Sequence, residues 1–368
     1  MESDQNLWQP DWTVAPGEVL LEALEERSMT QAELSRRMNR PLKTVNEIVK
    51  AKAAITPETA IQLERTLGIS AHFWNGLELN YRSQFARRKA VDELRAHLSW
   101  ADRFPIKDLA KRGLIRAQTT KSQTVEDLLK FFAVSSPRGW EQQWEHSLAR
   151  YRSSPSFETS REPLSAWLRW GEIEADKIEC EPFERQRWLK TVANARKLTT
   201  KQPISLAIGE LQKMCAQAGV ALVLIPEFSG TFLSGAARWL TREKAIIQLS
   251  LRHKSDDQLW FTFFHESGHL IESQGRDFID LPLNSVDRHG HGLAEEAERT
   301  ADEFARRALI PEEEFHSFLE RGDFSKGSVI AFARLIDIAP GLVVGRLQRD
   351  GHIPRSRLNS LKRRVQLI

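Results

Sequence analysis

Five residues, His265-Glu-Ser-Gly-His269, constrain this chain more than any other stretch of it. Apolar Leu259, Trp260, Phe261, Phe263 and Phe264 precede them and Leu270 and Ile271 follow, so residues 255–274 read as a long, largely buried helix. On a helix, positions i and i+4 stand one turn apart on one face. His265 and His269 therefore present two imidazoles to one point, at a spacing that suits bonds of about 2.0–2.1 Å to a single zinc ion. Glu266 falls beside that point, where its carboxylate can serve as general base toward water activated by the ion. Gly268 costs a helix interior about 1 kcal/mol relative to alanine, which predicts close approach of another backbone or of a substrate.

A zinc ion that acts on a substrate takes three protein ligands and keeps one position open. Residues 293–309 form the next predicted helix, ended by Pro311, and Glu298 on it is the candidate third ligand. Asp302, one turn later, can accept the remaining ring N–H of a ligating histidine and fix its tautomer. His289 and His291 lie in a glycine-containing stretch between the helices; they read as loop residues, with transition-state hydrogen bonding as the alternative. The two cysteines, Cys180 and Cys215, are far apart in sequence, which supports neither a disulfide framework nor a cysteine zinc finger. Metal donors are thus histidine and carboxylate.

Ahead of this pair of helices the periodicity is mixed. A helix over residues 204–218 meets Gly219, residues 220–225 and 244–249 read as strands, and 234–240 is a weaker strand candidate. Together, FTFFHESGHLI and EEAERTADEFARRALIP resemble the ImmA/IrrE group of metallopeptidases, which carry HExxH followed by an E-x-x-A-[N/D]-x-F-A helix. The resemblance spans roughly residues 203–315. It implies an α+β zincin-like metallopeptidase domain in which zinc sits on His265, His269 and Glu298, Glu266 is the catalytic base, and the substrate is a partner protein such as a repressor or antitoxin. One departure stands out: Arg306-Arg307-Ala308 replaces the usual small and apolar residues.

The N-terminal region is a run of short amphipathic helices. Pro16 opens the first, Thr30 with Glu33 has capping-box spacing for the second, and Asn39-Arg40-Pro41 breaks into a third carrying Leu42, Val45, Ile48 and Val49. Thr56-Pro57 starts a fourth, stopped by Gly68, and Ser70 caps a fifth. Two short helices joined by a tight turn give helix-turn-helix geometry, in which the second enters the major groove. Lys43, Thr44, Asn46, Glu47 and Lys50 are then the candidate DNA contacts, on the side opposite Leu42, Val45 and Ile48. Residues 1–90 carry twelve Lys/Arg against twelve Asp/Glu, yet between Arg36 and Lys52 six basic residues face only Glu47. Positive charge is local, where phosphate contacts would fall. MTQAELSRRM, KTVNEIV and AITPETAIQLERTLGISAHFWNGLELNYR resemble the HigA type of antitoxin repressor, an XRE/Cro-like unit, which implies operator DNA as a partner and a homodimer.

At 368 residues the chain exceeds what one core fills. We expect a multidomain protein: an all-α helix-turn-helix domain over residues 1–85, a helical middle region over 86–202, and the α+β domain over 203–368. The middle region is rich in tryptophan, which reads as packing between helices. No apolar run approaches the ~20 residues of a membrane span and no signal peptide is evident, so the expected location is cytoplasmic, with no membrane partner. Three functions compete: a zinc endopeptidase with its own DNA-binding domain, a HigA-type regulator whose zinc domain senses a signal without cleaving, and the antitoxin half of a toxin-antitoxin pair. Glu266 favours the first, because zinc binding alone does not need that carboxylate.

Overall fold

Three hydroxyls start three of the N-terminal helices. Helix α1 spans Pro16–Glu26, α2 Gln31–Arg37, α3 Leu42–Val49, α4 Pro57–Leu67 and α5 Ala71–Leu94. The side chains of Thr30, Thr56 and Ser70 accept from the backbone N–H three residues on, at Glu33, Thr59 and Phe73, satisfying donors that a helix start leaves orphaned. Gly68 closes α4 in the left-handed region at φ 75°, and Asn39 takes φ 52° in the turn between α2 and α3, a conformation asparagine tolerates. Helix α5 runs on to Leu94, past the expected boundary near residue 85.

This computed structural model describes residues 14–117, 120–152, 161–229, 231, 233–250, 252, 254–272 and 290–365. By compactness the chain forms two units, Met1–Leu98 with Thr120–Gln123, and Ser99–Thr119 with Thr124–Ile368. The first is all-α around Leu20, Leu34, Val45, Ile48, Leu63 and Trp74. A Cβ on Gly17 of α1 would fall 2.1 Å from the Val49 carbonyl oxygen and 2.5 Å from that of Ile48, so α1 can cross the end of α3 only with glycine there. Gly17→Ala should destabilise this unit by about 1–3 kcal/mol. Hydrogen exchange on the whole chain would then speed up in α1 and α3 and stay unchanged in the second unit; unchanged exchange in α1 and α3 would contradict the packing.

Next along the chain come α6 (Leu98–Ala101), α7 (Ile106–Lys111), α8 (Lys121–Phe132), α9 (Pro137–Arg152), α10 (Arg161–Asp176) and α11 (Arg185–Leu198). Trp100, Trp140, Trp144, Trp167 and Trp188 are all buried, as their reading as packing residues expects. After α12 (Ile204–Gln217) come β1 (Val220–Leu224), β2 (Gly235–Trp239) and β3 (Ala245–Leu249). They form one mixed sheet in the order β1-β3-β2, with β1 parallel and β2 antiparallel to β3. Helix α10 is tied to this sheet: Trp167 Nε1 donates to the Ile225 carbonyl at 3.0 Å, and buried Gln248 of β3 donates back to the Trp167 carbonyl at 2.7 Å. The chain continues through α13 (Asp256–Glu272), α14 (Gly290–Leu309), α15 (Glu312–Glu320), α16 (Lys326–Leu335) and α17 (Pro340–Arg349). Among the described residues no single helix is long and apolar enough to cross a membrane.

The start of α13 is held by the end of the chain. Asp256, fully buried, accepts from the Arg363 backbone N–H at 2.9 Å and from its Nε at 2.6 Å, while Lys362 Nζ stands 2.7 Å from Asp257. Acidic groups in a first turn also meet the positive end of the helix dipole. Buried Phe263 and Phe264 then face the core and leave His265 and His269 on the flank toward α14.

Candidate metal centre

Helices α13 and α14 meet where Gly268 lies against Ala301. A Cβ on Gly268 would stand 3.1 Å from the Ala301 Cα, so the glycine is explained by the neighbouring helix backbone. That close approach brings α14 side chains within reach of both imidazoles. Nε2 of His265 and of His269 are 3.1 Å apart, and the two Glu298 oxygens stand 3.4 Å from them, one from each ring. Two donors bound at 2.0–2.1 Å to one tetrahedral ion are separated by about 3.3–3.4 Å. The two imidazoles are close to that spacing and the Glu298 carboxylate bridges them, one oxygen to each ring, so the three side chains form a His/His/Glu cluster, one donor atom from each within 4.8 Å of the others, able to hold an ion. Asp302, one turn on from Glu298, accepts from His265 Nδ1 at 2.9 Å, which turns Nε2 toward the cluster.

Charge supports a cation there as well. Burial works against a proton on His265, but its hydrogen bonds to Asp302 and Glu298 and the nearby Glu266 push its pKa up to about 10. Hydrogen bonds from His265 and His269 hold Glu298 far below the usual carboxylate range. Burial raises Asp302, yet the His265 hydrogen bond, helped by the charges of Arg349 and Arg306, leaves it below its ordinary value. Three carboxylates around two imidazoles make the cluster favourable for positive charge, which fits a divalent ion.

Because a metal must displace the proton on His265, affinity for zinc should rise with pH. At pH values below about 10 uptake should release one proton from His265 and strengthen by about tenfold per pH unit, equivalent to ~1.4 kcal/mol. Calorimetric titrations in two buffers of different ionisation enthalpy measure the released proton, and a pH-independent affinity would contradict the charge arrangement. His265→Ala and His269→Ala should each reduce bound zinc from about one per chain to a trace, since two donors make an incomplete shell; metal analysis of the purified variants checks this.

Glu266 points the other way around α13, toward the sheet, and is 7% exposed. Burial raises its pKa, opposed by the two imidazoles and by a hydrogen bond from the Ala237 backbone. A Cβ on Gly235 would fall 2.8 Å from the Glu266 Oε1, so the first residue of β2 makes room for the carboxylate. The sequence offered no signal for Gly235, nor for the anchoring by Asp256, Asp257 and Arg363. His289 lies outside the described residues, as does the side chain of His291.

In the first unit, Val45 and Ile48 of α3 are buried, while Lys43 and Lys50 are exposed and Thr44, Asn46 and Glu47 are half-buried. Leu42, expected with the apolar side, is 43% exposed: as the first residue of α3 it lies a turn ahead of the packed stretch. Ser35 Oγ donates to the Arg40 carbonyl at 2.5 Å, holding the turn between α2 and α3, and Arg40 Nε donates to Gln62. Arg40 is thereby a structural cation, while Arg36, Lys50 and Lys52 are exposed.

Comparison with known families agrees with both halves. The helix-turn-helix family matches residues 20–74, and the IrrE N-terminal-like domain of the M78 peptidases matches residues 226–330. The chain belongs to the HTH-type transcriptional regulators and carries an M78 peptidase-like domain. Over 77 residues it is 35% identical to the uncharacterized HTH-type transcriptional regulator YddM of Escherichia coli (strain K12), a match that covers 21% of this chain and 81% of that protein. Among solved structures, an addiction module antidote protein of the HigA family from Coxiella burnetii is 27% identical with a TM-score of 0.21, over 23% of this chain and 91% of its own. Antitoxin GraA is 26% identical with a TM-score of 0.22, over 23% and 90%.

Proposed function

We propose that this chain is a zinc-dependent endopeptidase with a fused operator-binding domain, cleaving a partner repressor or antitoxin protein and so regulating transcription. The observation that carries the reading is the cluster of His265, His269 and Glu298, whose imidazole Nε2 atoms are 3.1 Å apart and each 3.4 Å from one Glu298 carboxylate oxygen, beside a buried glutamate that such a cluster does not need for metal binding. Zinc held there supplies Lewis acidity, polarising a carbonyl and bringing the pKa of water toward ~7.

The chain supplies the rest. Glu266 takes a proton from the attacking water on its carboxylate and passes it to the leaving amide nitrogen; burial, which raises its proton affinity, suits a group that must hold the proton between those steps. Asp302 orients His265 through Nδ1. The substrate lies along β2. Ser250 N–H donates to the Ser234 carbonyl and Leu240 N–H to that of Lys244, so bonded pairs with β3 fall on even-numbered residues of this antiparallel ladder. Gly235 and Ala237 consequently turn their backbone groups away from β3, on the side of Glu266, where an extended peptide can add as a strand. In the first unit, α3 reads the major groove with Lys43, Thr44, Asn46 and Glu47, Lys50 contacts phosphate, and two copies bind two half-sites as a dimer.

The test compares new protein N-termini in cells holding the wild-type chain and His269→Ala. A terminus produced only by the wild type, and reproduced with purified zinc-loaded protein, identifies the substrate. Identical sets of termini would overturn the peptidase reading.

A further inference from the structure

Arg306, where the M78-like motif departs from its usual small residues, lines a small, half-open cleft between α13, α14 and α17. Its apolar wall is Phe261, Leu309 and Leu342, and its other cations are Arg346 and Arg349. Two of these arginines have unused donors: Arg306 Nε and Arg346 Nη1 are buried and donate to nothing among the described residues. Leaving a buried charged donor unpaired is costly. Arg346 spends its other nitrogens on Asp350 and Glu312, and Arg349 lies flat on the cleft wall, its guanidinium carbon 3.5 Å from the Phe261 ring centroid. The acid in the cleft, Asp257, is ion-paired with Lys362 at 2.7 Å, although neither of its buried oxygens completes a hydrogen bond among the described residues.

We propose that this cleft binds a small organic anion, a carboxylate or phosphate on a flat apolar body that stays partly open to solvent, with the head group on Arg306 and Arg349 and the body against Phe261 and Leu342. Its place relative to the metal centre sets it apart from a substrate subsite. His265 turns Nε2 toward Glu298 and His269 but Nδ1 toward Asp302. The arginines are on the Asp302 side, Arg306 being one turn beyond Asp302 on α14, and their charges reach its carboxylate. Phe261 likewise lies one turn before His265 on α13. The cleft is therefore behind the centre, while Glu266 and β2 are in front of it. A bound anion would stand next to the Asp302–His265 pair without meeting a peptide laid along β2.

The probes are benzoate and phenyl phosphate, with benzamide as the neutral control, titrated calorimetrically into the full-length protein. One site per chain should saturate with benzoate or phenyl phosphate, and the tighter of the two names the head group. Benzamide should bind at least tenfold more weakly. Arg306→Gln and Arg349→Gln should each weaken the anion tenfold or more, with Arg349→Lys recovering part of the loss because it keeps the charge. Arg349 is exposed, so its variants should fold, as unchanged helix content and zinc content will report, even if Arg306→Gln does not. Absence of saturable binding by either anion in the millimolar range, equal binding of benzamide, or full affinity in Arg349→Gln would each overturn the proposal.

Discussion

Glu266→Gln should abolish partner cleavage, lowering its rate by about 10²–10⁴-fold, while leaving zinc content and fold unchanged. The amide occupies the space of the carboxylate, which lies so close to Gly235 that a Cβ there would fall 2.8 Å from its Oε1. What it lacks is a lone pair basic enough to take the proton from water. Stability should not fall. Burial raises the folded-state pKa of Glu266 above its ordinary value, so at neutral pH the ionised carboxylate costs folding free energy, and that cost is present above its unfolded pKa and vanishes as pH falls below it. Replacing it with a neutral amide removes the cost at pH 7. Single-turnover cleavage of the identified substrate, with metal analysis on the same preparation, is the measurement. Cleavage at the wild-type rate by a zinc-loaded Glu266→Gln variant would assign the proton transfer to another group. The contrast with His269→Ala is diagnostic: that variant loses activity together with metal, Glu266→Gln without it.

How far this centre could be read from sequence depended on how local its causes are. A pair of histidines four apart on an apolar helix is a local pattern, and so is Glu298 with Asp302 one turn on; both helices were legible with their donors in place. Gly268 announced a close neighbour, which the structure identifies as Ala301. The caps at Thr30, Thr56 and Ser70 were equally legible, because a capping side chain acts within three residues of itself. The rest depends on contacts between distant residues. Helix α10 docks on the sheet through Trp167 and Gln248, which are 81 residues apart, and Arg112 donates to the carbonyls of Pro226 and Glu227 while stacking on Phe228. Arg363 reaches back 107 residues to Asp256. No periodicity marks such pairs, so a middle region that reads as featureless helix contributes, from residue 99 on, to the same compact unit as the sheet. In the sequence Arg306 is a departure from the small and apolar residues of a family motif; only the fold shows it beside Arg346 and Arg349.

Lys43→Ala with Asn46→Ala should remove specific operator binding and leave zinc content and cleavage intact. Each lost base contact costs about 1–3 kcal/mol, so the double variant should bind a selected operator no better than unrelated DNA. Loss of fold would not be the cause. The Lys43 side chain is 84% exposed and its only close acid is Glu47 at 3.9 Å among the described residues, an exposed pair of the kind that contributes ~0–1 kcal/mol. Val45 and Ile48, which hold α3 in place, are untouched. Lys50→Ala should act differently, weakening all sequences alike and reducing the salt dependence by about one phosphate contact. Both are read by measuring affinity for an operator selected from random DNA, at fixed salt and then across salt. The same titration, run with and without a chelator, asks whether the metal centre speaks to the DNA. If the two halves act independently, the affinities agree. A shift of tenfold or more, about 1.4 kcal/mol of coupling, would instead mean that the metal-bearing domain sets the affinity of the regulator, and would move the balance from a peptidase that happens to bind DNA toward a regulator that senses through its metal centre.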